Sequence, residues 1–470
     1  MARRPSTHGR AVGRHGPSIV QTASFRQRGW RDGEIDVPTW IKVRDGTIDP
    51  PVAKTKCSRG RDQGSTADFK FRPGRVTFRR IDPTERPAVT SLSSPPRRPL
   101  ARLLKEALLA TAIVLGTLLP ACAEAPAPRM AALARGLNVA HWLRFPPSSD
   151  DTALAGYLSD ADIAAIRRAG FTYVRLSVGV EVVMQGRHIA PDKLAVIVRV
   201  IRRLQKAGLA VMTEPYTQNA QNWQYDKNPE AQQILLGYWH DLAPALRGLP
   251  VGLTFPEVVN EPSSDPAHWT DLQGRILNVI RGALPDNTIV LTGTDWSSLD
   301  GLLKIQPVQD RNVIYSFHTY EPTLLTLLGF WDQGIDKNAL AAHIPFPTTP
   351  SACKAAQAAT GQDHTRAVIQ YWCSNPQNEG SIEAGLRRAT DWGHAHDVSV
   401  MMTEFGAMGI LNRPARDAYF SAMHQAATDL RLPWALWALD DQMGFDRPVG
   451  GSARGFGYPP DVVSALHLHP

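Results

Sequence analysis

Between residues 135 and 440 the chain carries eight short apolar, β-rich segments interspersed with longer stretches of helical period. The strand-like segments fall at 136–140, 172–177, 209–214, 255–260, 288–292, 313–318, 399–404 and 434–439. Helical patterns occupy 160–169, 192–207, 272–283, 382–395 and 415–427; in the second of these Leu194, Ile197, Val198, Ile201 and Leu204 recur at the spacing of one helix face. Strands that are apolar almost throughout are buried on both sides, which is the condition of a parallel sheet covered by helices. Eight is the number of strands that closes such a sheet on itself. The predicted fold is therefore α/β, a (β/α)8 TIM barrel over 135–470, preceded by a disordered leader and a signal peptide.

The front of the chain is of a different kind. The protein has 470 residues and a formal charge of +7. Residues 1–100 hold 21 Lys and Arg against 9 Asp and Glu, a net of +12, so the rest carries 30 − 35 = −5. Rich in Arg, Pro, Gly and Ser and without apolar period, residues 1–95 cannot bury enough surface to offset chain entropy and read as a basic disordered leader. Arg97, Arg98 and Arg102 then precede an uncharged apolar run of about 13 residues, 107–119, and the small residues Pro120-Ala121-Cys122-Ala123. That is a complete signal peptide over 96–123, too short to span a bilayer, which needs about 20 residues. Its position so far along the chain suggests a translation start shortly upstream of residue 100, with the leader not made in the cell. Leu119-Pro120-Ala121-Cys122 also resembles a bacterial lipoprotein box, which would make Cys122 a lipid anchor; cleavage after Ala123 is the alternative. Either way the protein is expected to be exported, periplasmic or extracellular, with residues 124–134 as a linker. A nucleic-acid partner loses its basis once the positive charge is assigned to the leader.

In a barrel of this type the C-terminal ends of the strands face the active site. That rule selects Asn138 and His141, Arg175, Glu214 and Tyr216, Asn260 and Glu261, Asp295 and Trp296, His318 and Tyr320, Glu404, and Trp437, in strand order. The set is aromatic and rich in carboxylates. Glu261 and Glu404 each end an apolar run, and two carboxylates across a barrel mouth are what glycoside hydrolysis requires: one protonated to assist the leaving oxygen, the other ionised to attack.

Asn260-Glu261-Pro262 at the fourth strand and Thr403-Glu404-Phe405-Gly406 at the seventh resemble the two catalytic signatures of glycoside hydrolase family 5, the cellulase family A group. The resemblance covers about 135–439 and extends to Arg175, to His318 and Tyr320 in Phe317-His318-Thr319-Tyr320, and to Trp437. It implies a retaining β-glycosidase, an endo-β-1,4-glucanase first and a β-mannanase or other β-glucanase next, with Glu261 as acid/base and Glu404 as nucleophile. It also implies that Arg175 keeps Glu404 ionised and Asn260 bonds the sugar 2-OH. Tyr320 would touch the nucleophile, His318 would line the neighbouring subsite, and Trp437 would stack under the sugar on the non-reducing side. One position departs: the family's usual His after the third strand is replaced in Glu214-Pro215-Tyr216, so Tyr216 stands in for it or the subsite is built differently. His141 and Trp296 complete the expected substrate-binding set.

Ten of the twelve tryptophans lie within 142–437. Flat rings bind the C–H faces of sugars at low entropic cost, so Trp142, Trp223, Trp269, Trp296, Trp331 and Trp372, in segments read as loops, are candidate platforms. Trp239 and Trp392 fall in helical patterns and are expected in the core. The stretch 322–377 is long for a βα loop and reads as an insertion, in which Cys353 and Cys373 form a disulfide in an exported protein or remain free thiols. No metal or organic cofactor is expected, since water is the second substrate. Ala140-His141-Trp142 lacks the His-x-His that a metal-dependent barrel hydrolase would carry. The expected partner is a β-linked glycan and the expected state a monomer. A non-catalytic carbohydrate-binding barrel is the competing reading.

Overall fold

The computed structural model describes residues 127–219, 224–445 and 459–469, together with two short strands, Val43–Arg44 and Thr47–Ile48. The chain divides into units Met1–Pro96 and Arg97–Pro470. In the first, the two short strands pair antiparallel. The rest of the leader and the whole of the expected signal peptide lie outside the described residues.

In the second unit eight strands form one sheet: β1 Arg135–Leu143, β2 Tyr173–Gly179, β3 Ala210–Tyr216, β4 Thr254–Pro256, β5 Ile289–Thr292, β6 Val313–His318, β7 Ser399–Phe405 and β8 Trp434–Leu436. Their order is β4-β3-β2-β1-β8-β7-β6-β5, every pair parallel, and a bridge between Glu257 and Val290 joins the two ends. The sheet is thus a (β/α)8 barrel, as the count of apolar segments predicts.

Helices lie outside: α1 Asp160–Arg168, α2 Pro191–Lys206, α3 Pro229–Ala245, α4 Pro266–Ala283, α5 Leu299–Leu302, α6 Lys337–His343, α7 Pro350–Ala359, α8 Asp363–Ser374, α9 Glu379–His396, α10 Arg413–Asp429 and α11 Pro460–Ala465. Local chemistry starts them. Ser159 and Asp162 form a reciprocal cap on α1, and Asn228, Asp265 and Asn412 cap helices whose first turns carry Pro229, Pro266 and Pro414. These side chains satisfy amide donors that the helix itself leaves open, and proline there loses no bond.

The strands alternate as a two-sided sheet demands. Val174, Leu176 and Val211 face the helices, whereas Tyr173, Met212, Phe255, Val290, Ile314 and Met401 fill the barrel at its N-terminal end. Leu133 closes that end. Residues 127–132, within the stretch read as linker, form a short helix whose Met130 and Ala132 pack beneath the same layer. Gly136 makes room for the inner layer: a Cβ there would collide with the Tyr173 ring.

Above this layer the barrel interior turns polar. On β2 the inward positions after Tyr173 are Arg175 and Ser177; on β3 they are Glu214 and Tyr216; on β6, Ser316 and His318. Two irregularities complete the ring. A register shift between β6 and β7 pairs Phe317 with Met402 but His318 with Glu404, so Thr403 is the extra residue of a bulge. Without it Glu404 would point to the helices; with it Glu404 turns inward and Phe405 packs outside on Phe420 and Trp434. β4 is shorter than the predicted 255–260. From Glu257 the backbone is bonded to both neighbours, through Glu257 N–H to Thr213, Val258 N–H to Val290 and Asn260 N–H to Pro215 carbonyls, and leaves strict alternation. Asn260 and Glu261 thereby both reach the mouth.

The 322–377 insertion is largely helical, built from α6, α7 and α8. Cys353 on α7 and Cys373 on α8 are joined in a disulfide. Asn412 ties the insertion to the β7–α10 loop by donating to the carbonyls of Ala341 and Ile344 at 2.9 Å.

Candidate active site

Arg175 is the hub of the polar layer. Its guanidinium is wholly buried and donates to Glu257 Oε2 at 2.5 Å, Glu404 Oε1 at 2.6 Å, Asn260 Oδ1 at 3.0 Å and Asn138 Oδ1 at 3.1 Å. Glu214 Oε1 lies 3.8 Å away. Three carboxyls around one cation, all out of water, hold each other in place because any loss would strand a charge. Asn138 is fixed in turn by donating to the Thr403 and Leu436 carbonyls, which links β1 to the bulge of β7 and to β8.

Glu404 receives a second bond, from Tyr320 Oη to Oε2 at 2.7 Å. His318 Nδ1 lies 2.9 Å from Glu261 Oε1 and 3.5 Å from Glu404 Oε2. One carboxylate oxygen of each glutamate and a nitrogen of His318 sit within 4.8 Å of one another. Glu261 itself is held with φ of +45°, off the strand.

The two carboxyls differ in their electrostatics. Burial pushes Glu261 up to about 7, with Arg175 and Arg144 opposing at longer range. Glu404 is also raised by burial and by Glu261, and His318, the directly bonded Arg175 and Tyr320 pull it back. Burial lowers His318 to about 4, so it is neutral near pH 7 and offers Glu261 no charge. Of the pair, the carboxyl with a cation at 2.6 Å is the one that ionises first. Glu214 is pushed up to about 8 by burial, with Arg175 and a hydrogen bond from Ser177 opposing.

Around the mouth, Trp437 is 7% exposed and packs with Ala140, Tyr320 and Met443. Tyr216 accepts a hydrogen bond from Arg144 Nη2 at 3.0 Å. His141 is fixed by its backbone N–H to Asp440 Oδ2, with its ring edge 3.9 Å from Asp440 and tilted against Phe145. Trp296 is 52% exposed and lines, with Glu261, His318 and Tyr320, a cleft of about 480 Å³ bounded by α5, α9 and the β6 loop. It is presented by a run of three left-handed residues, Asp295, Trp296 and Ser297, with φ of +52°, +57° and +54°. Such backbone persists only where surroundings over-determine it, here through Trp296 N–H to Pro262 and Ser297 O accepting from His318 N–H.

Three of the expected platforms are instead packing residues. Trp142 lies one residue before the end of β1 and donates to the Leu154 carbonyl; Trp269 sits on α4 and donates to the Thr292 carbonyl; Trp372 sits on α8 and donates to the Pro345 carbonyl. All three are buried. Segments that look like loops in sequence turned out to be a strand end and two helices, so their rings face the core. Trp239 and Trp392 are buried as expected, Trp331 is exposed on the insertion, and Trp223 lies outside the described residues. Sequence reading missed Glu257 and Arg144. Glu257 lies four residues before Glu261, and its acidic side chain in an apolar strand was a usable signal; Arg144, one residue past β1, carried none.

A family model, cellulase (glycosyl hydrolase family 5), matches residues 148–443, well over half of the chain. The chain belongs to glycosyl hydrolase family 5. This family 5 chain is 25% identical over 329 residues to Endoglucanase 3 of Fibrobacter succinogenes, covering 65% of this chain and 49% of that protein. With Endoglucanase C of Acetivibrio thermocellus it shares 23% over 211 residues, 42% of this chain and 60% of the relative. The chain thus spans half to three fifths of the length of these relatives. The crystal structure of endoglucanase Cel5A from Thermotoga maritima superposes with a TM-score of 0.58 at 20% identity, covering 73% of this chain and 99% of that one, a likeness of fold.

Proposed function

We propose that this family 5 chain is a retaining endo-β-1,4-glucanase that works by double displacement. The observation that carries this reading is the close approach of Glu261 and Glu404, whose carboxylate oxygens lie within 4.8 Å. Retaining glycosidases hold their carboxyls about 5–5.5 Å apart, whereas inverting ones leave about 6.5–9.5 Å for a water. The endoglucanase relatives support the choice of β-1,4-glucan.

In this scheme Glu261, raised to about 7, protonates the leaving oxygen while ionised Glu404 attacks the anomeric carbon. The bond to the leaving sugar breaks as the Glu404–carbon bond forms. Glu261, now a carboxylate, takes a proton from water, whose oxygen displaces Glu404 from the sugar. Arg175 and Tyr320 stabilise the carboxylate before attack and after release. Asn260, anchored by Arg175, meets the 2-OH, and His318 lines the subsite between the two glutamates. Trp437 and Tyr216 bound the non-reducing side with His141, and Trp296 forms a platform on the opposite, leaving-group side.

Release of reducing ends from carboxymethyl cellulose, with mannan, glucomannan, laminarin and xyloglucan beside it and Glu404→Gln as control, tests the proposal. Fastest cleavage of the β-1,4-glucan with an early fall in viscosity is expected. Fastest cleavage of mannan would make it a mannanase, and no cleavage of any glycan a carbohydrate-binding barrel. An NMR time course in which the α-anomer forms first from a β-glucan would refute double displacement. We also propose that the enzyme is exported, on the strength of the 96–123 segment.

A further inference from the structure

Arg144 lies one residue beyond β1, and its side chain crosses the barrel mouth toward β3 and β8. Its guanidinium carbon stands 4.0 Å from the Tyr216 ring centroid, 4.2 Å from that of Phe145 and 4.8 Å from that of Trp437. Among the described residues only one of its five N–H donors, on Nη2, makes a hydrogen bond, to Tyr216 Oη at 3.0 Å. Its Nε is buried and finds no partner among those residues. Among the described residues no carboxylate comes within 4 Å of it; Asp441 and Glu261 feel its charge from farther away, and Asp441 spends one oxygen on the Met443 amide.

Arginine with free donors at a catalytic mouth is unusual, since most partly buried guanidinium groups are matched by an acid. The three rings fix its plane and lower its hydration, so little order is lost when a planar anion docks on the fork. Trp437 is the ring assigned above to the sugar on the non-reducing side, and Arg144 covers part of it. A sugar bound there meets a cation as well as an aromatic face.

We propose that Arg144 makes the non-reducing-side subsite selective for a β-linked glycan bearing a carboxylate, such as a 6-carboxylated glucosyl unit. This rests on the glycosidase reading of the same cleft. A bidentate carboxylate–guanidinium contact is strong enough for roughly tenfold or more in affinity.

The test compares neutral cello-oligosaccharides with the same oligosaccharides oxidised to carboxylate at C6 of the non-reducing unit. Binding is measured by calorimetry on the Glu261→Gln protein and kcat/KM on the unmodified enzyme. Tighter binding of the carboxylated ligand by tenfold or more is expected, shrinking in high salt. In the Glu261→Gln/Arg144→Met double variant that preference should fall to parity, and Arg144→Lys should retain part of it. Equal or weaker binding of the carboxylated ligand overturns the proposal whatever the turnover. Selective binding without turnover of either ligand keeps the subsite and sinks the glycosidase reading instead. Thermal melting of each variant shows that a lost preference is not lost folding.

Discussion

Arg175 shows how far one side chain governs this site. It bonds Glu257, Glu404, Asn260 and Asn138 at once from a fully buried position. Arg175→Met is expected to destabilise the fold by about 3–5 kcal/mol in urea titration, because it strands buried carboxylates. The pH dependence follows Glu261. In the proposed role of proton donor it must be protonated, so kcat/KM on glycans with poor leaving groups should fall about tenfold per pH unit above about 7. Aryl glycosides, whose leaving group needs little protonation, should lose much of that limb, and Glu261→Gln should spare them relative to glucan. Glu214 affects stability rather than rate. Its folded value of about 8 exceeds the ordinary 4.5, so the folded state holds the proton more tightly. The stability this gives is complete below about pH 4.5 and is lost as pH rises through 8. Glu214→Gln should flatten the fall in urea midpoint between pH 5 and 8; an unchanged slope would show that Glu214 is ionised.

Strands and insertions set where these side chains go. The bulge at Thr403 is the device that aims Glu404 inward, and a strand without it would carry the same glutamate on the wrong face. In the lower barrel Gly136 and Tyr173 fit as a pair, and Gly136→Ala forces the buried tyrosine to move. Overpacking of this kind costs about 1–3 kcal/mol, to be read as a lower melting temperature with the site residues untouched. The insertion depends on its own tie. The Cys353–Cys373 bond closes a loop of 20 residues, worth about 3 kcal/mol in chain entropy. Replacing both cysteines by serine should lower the melting temperature and speed proteolysis within 337–378.

Charge divides the chain as a whole. Removing residues 1–123 takes away 23 positive and 10 negative residues and leaves 28 − 34 = −6, so the catalytic unit is acidic although the full sequence carries +7. No helix among the described residues is long and apolar enough to cross a membrane. If export proceeds as proposed, N-terminal sequencing of the secreted form should begin at a lipidated Cys122 or at Glu124. A cell product that retains residues 1–95 would overturn that account.

The alternation of apolar strands with amphipathic helices announced the barrel, because burial on two faces leaves a period that any short window reveals. Glu261 and Glu404 were visible for the same reason: each is a charged residue closing an apolar run, in a short motif with neighbours of the right kind. What stayed hidden depended on partners distant in the chain. Asn138 meets Thr403 across 265 positions and Leu436 across 298, and such pairings follow from strand tilt and closure. The same is true of Glu257 at the hub, of the rings around Arg144, and of the inward turn of Trp142, Trp269 and Trp372. Local sequence specifies which faces are apolar; the register at which eight strands close specifies which polar groups share the space inside.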